Sequence, residues 1–399
     1  MALVRLLMLT LLVSTNSCSK AKDEQGTPPT PDYARLQSGS LVRIIDAALK
    51  SDDWREFDSA CDLEEFTRRV IGTTVVSFEI RNLIRLMIQG GQDIEGVIRL
   101  PSKNEIRNLT LDGNHAAFLR VRMEGGRPQP LYRILTRVGG LDYCAWVLAP
   151  DNSPKPRVID AYSFIRGELF SAYVRRLLLP KPDRLDILNS LKAPMPMDLY
   201  SAFPERYNLV ELVMARRYSE ALSHFESQKV ALMEDKHAHL LRMESAIRVD
   251  PGAHVKAFEE FEGRFPGDPS LPMLRTSYLI NSGKYDQALL AVDAIEGLIG
   301  GDKYLASIRA LVQAAAGRVA IADELARRCT DAEPSIAEGW YARISIRLRE
   351  NDAEGAMRLL EDGIKSARLA AARVEALPGF DVLSGSEAYR AWRSSLETK

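Results

Sequence analysis

Apolar residues are not spread evenly along the chain. Their spacing changes character several times, and each change marks a predicted element. A short apolar run, Leu6 to Val13 interrupted only by Thr10, follows a single cation, Arg5. Ser19 to Ser40, which contains Thr27-Pro28-Pro29-Thr30-Pro31, has the polar and proline content of an unfolded spacer. From Leu41 the period becomes helical: Leu41, Ile44, Ile45, Ala48 and Leu49 form one stripe. Trp54, Phe57, Cys61, Phe66 and Val70 continue it beyond the break at Ser51-Asp52-Asp53, where Ser51 is a candidate helix cap. Thr74 to Gln89 is a third candidate helix.

After Gly90-Gly91 the pattern turns to short runs with strand chemistry. Ile106–Leu111 ends at Asp112-Gly113, Ala116–Met123 at Gly125-Gly126, and Leu131–Val138 at Gly139-Gly140. Tyr143–Leu148 stops at Pro150-Asp151-Asn152, and Arg157–Phe164 ends near Gly167. Five runs joined by tight turns predict an antiparallel meander. In the second run Phe118, Arg120 and Arg122 alternate with Leu119, Val121 and Met123, so one face of it is expected to be buried. Residues 41–180 are thus assigned to an α+β domain, and the prolines at 180, 182, 194 and 196 mark residues 181–201 as a connector. Helices followed by a curved meander resemble the cone-shaped fold of the nuclear-transport-factor-2-like (NTF2-like) superfamily in element order, which implies an inner face able to hold a small molecule.

From about residue 202 the chain repeats. Ala221, Ala257, Ala288, Ala322 and Ala356 recur at a nearly constant interval, and each closes a short turn-like segment. The last two intervals are equal, the first is slightly longer and the second slightly shorter. In the later units the turn opens with Gly252, Gly283, Gly317 or Asn351; Arg216 stands there in the first. A glycine ends the first helix of a pair in the left-handed conformation, and the alanine lets the second helix approach closely. The small residues facing it are Ser245, Thr276 and Ala310, with Ile344 as the departure; the last pair is therefore expected to splay or shift. Asp268-Pro269 and Glu333-Pro334 are expected to stop the second helices.

These segments, together with Trp340 at an early aromatic position, resemble the tetratricopeptide repeat (TPR), whose unit is about 34 residues. The resemblance implies an all-α helical solenoid over residues 202–368 with a concave, partner-binding surface. Residues 369–399 read as a capping segment in which Phe380, Leu383, Tyr389 and Trp392 cover the last pair. Val158-Ile159-Asp160-Ala161-Tyr162, Arg166-Gly167-Glu168, Phe265-Pro266-Gly267-Asp268-Pro269 and Gly300-Gly301-Asp302 are together similar to a group of uncharacterised bacterial exported TPR proteins.

Composition narrows the function classes. A length of 399 residues suits two domains, and 46% hydrophobic with 27% charged residues is an ordinary folding mixture. A net charge of −1 gives no general attraction to phosphate backbones, so no nucleic-acid partner is expected. The N-terminal run has signal-peptide grammar over residues 1–17 and is too short to span a bilayer. Ser14-Thr15-Asn16-Ser17-Cys18 resembles a bacterial lipoprotein box, with Thr15 where that pattern prefers Leu, which makes Cys18 a candidate lipidation site and residues 18–40 a flexible linker. Plain cleavage after Ser17 or Ala21 is the alternative. Either way the chain is expected to be exported to a bacterial envelope or periplasm, with any membrane contact through the anchor. Cys61, Cys144 and Cys329 show neither a disulfide framework nor zinc-ligand spacing and read first as buried small hydrophobes, a Cys61–Cys144 bridge being the other reading.

Chemistry is sparse. No phosphate loop, dinucleotide fingerprint or nucleophile elbow occurs, so no catalytic residue and no cofactor is assigned. His237 and His239 point about 200° apart on a helix, which disfavours a shared metal. His224 and His254 read as solvated surface, and His115 lies in a turn without a visible partner. Asp160 and Tyr162 share a strand face, with Tyr143 a candidate cross-strand neighbour, and would line a small-molecule cup if that face is concave; otherwise the rings are core and Asp160 is exposed or hydrogen-bonded to a backbone turn. Glu168 reads as an acid at a helix start. On the first helices of the repeats, Arg242, Arg248, Arg275, Tyr278, Arg309, Arg343 and Arg347 are the candidate binding residues, and so many guanidinium groups suit an acidic peptide or protein partner. Ordinary solvated charge is the competing explanation. The expected function is a non-catalytic interaction scaffold or adaptor. The alternative is a small-molecule-binding or enzymatic N-terminal domain with the repeats as a docking arm.

Overall fold

Pro31 opens the first helix, α1 (Pro31–Ser51), well before the apolar stripe begins at Leu41. A proline suits the first turn of a helix because its missing N–H would have no partner there. Gln37 and Ser38 are already buried, so the last part of the expected linker is ordered helix. The structure is a computed structural model, and it describes residues 31–72 (except 52 and 54), 115–135, 141–150, 155–178 and 204–397 (except 368, 370, 376 and 378). The signal run, Cys18, the candidate helix at 74–89, the strand expected at 106–111 and the connector lie outside the described residues. The chain divides into two compact units, the first running to Val249 and including Glu259–Leu271, the second containing Asp250–Phe258 and Pro272 to the C-terminus.

In the first unit α1 is followed by α2 (Arg55–Ala60) and α3 (Leu63–Ile71). Ser51 ends α1, its Oγ donating to the Ala47 carbonyl, and Asp53 takes the capping role by accepting from Arg55 N at 3.2 Å. A five-stranded antiparallel sheet comes next: β1 (His115–Glu124), β2 (Arg127–Leu135), β3 (Leu141–Leu148), β4 (Val158–Ser163) and β5 (Glu168–Leu169), each paired with its neighbour in sequence. The helix α4 (Phe170–Leu178) follows directly. The strand β2 begins earlier than the expected Leu131 and runs through Pro128 and Pro130. These two pair with Met123 and Val121 of β1, and pairing with β3 starts only at Leu131. Prolines are tolerated there because the ladder on that side has already ended.

One face of the sheet is apolar. Tyr132, Cys144, Trp146, Leu148, Val158 and Ala161 meet Leu41, Ile45, Ala48 and Phe57 of α1 and α2, with the Phe57 ring edge-on to Trp146 at 5.4 Å. The expected buried face of β1 is not found. A bulge at Leu119 interrupts the alternation, and Phe118, Val121 and Met123 are all exposed. Cys61 bridges to Val158, which lies opposite Leu148 on β3, so Cys144 is about 13 Å further along that strand. A disulfide needs the Cα atoms within about 7 Å. None of the three described cysteines is in a disulfide; Cys144 and Cys329 are buried and Cys61 half-buried.

The helices that follow are α5 (Pro204–Met214), α6 (Tyr218–Ser227), α7 (Lys229–Leu232), α8 (Lys236–Val249), α9 (Pro251–Arg264), α10 (Leu271–Asn281), α11 (Tyr285–Ile299) and α12 (Leu305–Ala315). After them come α13 (Val319–Ala332), α14 (Ala337–Arg349), α15 (Ala353–Ser366), α16 (Ala371–Glu375), α17 (Asp381–Ser384) and α18 (Glu387–Glu397). One turn recurs among them. Arg216, Gly283, Gly317 and Asn351 have φ of 59°, 69°, 77° and 59°. The next residue in each case donates its N–H five residues back: Arg217 to Leu212, Lys284 to Leu279, Arg318 to Gln313 and Asp352 to Arg347, all at 2.8–2.9 Å. Five residues after the left-handed position stand Ala221, Ala288, Ala322 and Ala356, each fully buried.

Gly252 does not belong to this set. It lies in the first turn of α9, where Asp250 accepts from Ala253 N at 2.8 Å. The helix α9 also ends at Arg264, ahead of Asp268-Pro269, whereas α13 ends at Ala332, immediately before Glu333-Pro334. Ile344 is buried among Trp340, Tyr341, Leu360 and Leu383. Phe380, Val382 and Trp392 pack against that cluster, and Tyr389 belongs to it.

Candidate functional site

The strongest concentration of buried polar chemistry lies in the first unit, where two sequence stretches meet. Lys236, at the start of α8, is 1% exposed. Its Nζ donates to Asp268 at 2.5–2.6 Å and to the Arg166 carbonyl at 3.1 Å. Asp268 also accepts from Ser270 N at 2.9 Å and Ser270 Oγ at 2.5 Å. Between them runs the Gly167 turn, at φ +66°, so close that a Cβ on it would lie 2.5 Å from Ser270 N. The Arg166 guanidinium covers the Phe170 and Tyr173 rings at 5.1 and 4.6 Å, and the Tyr173 ring meets His237 edge-on at 5.6 Å. The Arg166 carbonyl, at the end of the sheet, is thereby hydrogen-bonded to a buried ammonium of the first helices that is itself paired with Asp268. Nothing in the spacing of Lys236 and Asp268 announces this, since one opens a helix and the other lies in a loop far along the chain.

Asp160 is committed inside the same unit. Its Oδ1 accepts from Ala161 N at 2.9 Å and Ser171 N at 3.1 Å, and its Oδ2 from Ser171 Oγ at 2.5 Å. It therefore serves the first turn of α4 from across the sheet, the role expected of Glu168, which instead lies buried in β5. Burial raises the Asp160 carboxyl above its ordinary value, against the pull of these hydrogen bonds and of Arg69, whose Nη1 is 3.9 Å away. Tyr143 and Tyr162 both stand edge-on to Phe164, at 6.4 and 5.1 Å. Both rings are packed, and the carboxylate faces backbone, a serine and the Arg69 guanidinium.

The arginines assigned from the repeat pattern are mostly occupied by this chain. Arg242 is 4% exposed, bonds Glu226 and Glu260 at 2.6 Å each, and lies over the Phe225 ring. Arg242, with Lys229, holds the Glu260 carboxyl down at about 2. Arg309 bonds Asp293 at 2.6 Å and Glu296 at shorter range. Arg347 bonds Asp323 at 2.7 Å and Glu350 at 2.5 Å. Tyr278 is buried and stacked on Phe258 at 4.4 Å, so it is core. The Arg248 guanidinium lies over Tyr218 at 5.5 Å, Arg275 is exposed, and Arg343 is half-buried.

No known protein family, curated protein or solved structure matches this chain.

His237, His239 and His254 are buried, and His224, expected at the surface, is half-buried. His239 lies between the Phe225 and Phe265 rings, at 5.1 and 5.4 Å, and its Nε2 meets the Met233 carbonyl at 3.1 Å. His224 meets the Glu205 carbonyl at 2.7 Å. His254, expected at the surface, is 1% exposed with Nδ1 bonded to Asn281 at 3.1 Å. Burial lowers its pKa from 6.5 to about 4. The folded state therefore keeps it neutral while the unfolded chain takes up a proton below about 6.5. Its contribution to stability is complete above that pH and is lost as pH falls toward 4, by up to about 1.4 kcal/mol per pH unit. Urea midpoints followed from about pH 7 to 4 are expected to show this decline, and His254→Asn to flatten it; parallel curves for the two proteins would refute the assignment. Among the described residues no group of three or more His, Cys, Asp or Glu side chains is placed to hold a metal ion, and no helix is long and apolar enough to cross a membrane.

Proposed function

We propose that this protein is a non-catalytic interaction scaffold of a bacterial envelope, a TPR-type helical solenoid that binds a segment of another protein and follows the α+β domain in the chain. The observation that carries the reading is the recurring turn: a left-handed residue, an N–H bond five residues back, and a fully buried alanine five residues on, at the evenly spaced positions 283, 317 and 351. Helix pairs stacked with that regularity leave one long surface of first helices available to a ligand. The small-molecule alternative is the weaker reading, because both Asp160 oxygens already accept hydrogen bonds from backbone and Ser171. Export and anchoring rest on the N-terminal run and Cys18.

The test is site-specific photo-crosslinking of the full chain in its own cell envelope. A photoreactive residue at Arg275, on a first helix, is expected to capture a discrete protein. One at Leu290, 68% exposed on a second helix, is expected to capture little. Equal capture from both positions, or none from Arg275, would overturn the scaffold reading.

A further inference from the structure

The helix pairs can be compared with one another residue by residue, and Arg343 departs from the pattern that Arg242 and Arg309 share. Arg242 reaches the residue sixteen positions before it, Glu226, and Arg309 does the same with Asp293, at 2.6 Å in both cases. Arg309 also bonds the residue thirteen positions back, Glu296. At those two separations Arg343 has Arg327 and Thr330. Its Nη1 donates to Thr330 Oγ1 at 3.2 Å and its guanidinium lies over the Trp340 ring at 5.6 Å, but among the described residues it forms no ion pair. Its Nε is buried without a hydrogen-bond partner. Arg327 brings no negative charge to it, being a cation itself, held by Glu324 at 2.7 Å and Asp331 at 3.0 Å on its own helix.

A guanidinium fixed by an aromatic face and a hydroxyl, half-buried and lacking an anion, is prepared to take a carboxylate. Elsewhere in the same chain the equivalent arginines show which anion that is. We propose that Arg343 is the anchor for an acidic segment of the partner protein, whose Asp or Glu side chain supplies the carboxylate that Glu226 and Asp293 supply to Arg242 and Arg309. This rests on the scaffold reading and narrows it: the self-neutralised arginines do not select the partner, and Arg343 does.

The test uses the full chain and a fluorescent octaglutamate peptide at low salt. Binding is expected, and Arg343→Gln should weaken it about five- to tenfold, between the effect of an exposed ion pair and that of a buried charge-assisted contact. Arg327→Glu should weaken it comparably while leaving Arg343 in place, because it puts a carboxylate where Asp293 stands relative to Arg309. Arg327 is half exposed, so this variant does not depend on the core. Arg358→Gln on α15, where Arg358 pairs with Glu354, makes the same change of net charge as Arg343→Gln and should change binding less than twofold. Equal weakening by Arg343→Gln and Arg358→Gln, equally tight binding of a DNA duplex, or no binding of octaglutamate by the unaltered chain would overturn the proposal. Should the peptide fail while crosslinking from Arg275 still captures a protein, the scaffold stands and its acidic partner falls; loss of both removes the scaffold as well.

Discussion

Replacing Lys236 by Met is expected to lower the unfolding free energy by about 3–5 kcal/mol, the cost of leaving one member of a buried ion pair without the other. The Lys236 side chain is 0% exposed and that of Asp268 6% exposed, so water cannot take the place of the missing ammonium. Ser270 still donates twice to Asp268, but two neutral donors do not cancel a buried negative charge, and the Arg166 carbonyl loses its donor as well. Asp268→Asn added to Lys236→Met should recover a large part of the loss, because the remaining amide keeps an acceptor for Ser270 and carries no charge. Urea denaturation followed by tryptophan fluorescence measures both. A loss under about 1 kcal/mol for the single variant would mean that the pair is solvated.

Gly167→Ala is expected to cost about 3 kcal/mol from two separable sources. The left-handed backbone at φ +66° penalises any Cβ by about 1–2 kcal/mol. The added carbon would also press on main chain rather than on a movable side chain, at 2.5 Å from Ser270 N and 2.9 Å from the Pro269 carbonyl carbon, which adds an overpacking cost of about 1–3 kcal/mol. Gly283→Ala supplies the comparison: φ is +69° and a Cβ there meets nothing within 4 Å, so only the conformational part should appear. Equal losses at the two glycines would show that the Gly167 turn does not press on the Asp268–Ser270 loop. Since Gly167 and Lys236 act on one joint, the double variant should lose less than the sum of the singles.

The local elements were legible because their causes are local. Strands β3 and β4 follow from short runs of β-branched, aromatic and other apolar residues closed by turn residues, and the helix pairs from alanines and left-handed turns at fixed spacing. Where a turn residue was atypical, the geometry still imposed itself: Arg216 and Asn351 adopt φ of 59° because the neighbouring helices and hydrogen bonds demand it. Local signals misled where one residue type has two uses. Pro31 starts a helix although it sits in a spacer-like stretch, Gly252 lies inside a helix rather than ending one, and the bulge at Leu119 defeats the alternation of β1.

The sequence by itself determined the order of helices then strands then helices among the described residues, and that no common catalytic motif is present, since propensity, periodicity and turn chemistry act over a few residues. It also set out which arginines occur at equivalent places in successive helix pairs. Only the tertiary structure decided what those charges do. Arg242 and Arg309 are neutralised by carboxylates on neighbouring helices, Asp160 serves a helix from across a sheet, and Lys236 meets Asp268 from a distant stretch of the chain. Pairing of that kind depends on which helix faces are brought together and how far water is excluded, and neither is encoded in the spacing of any one segment.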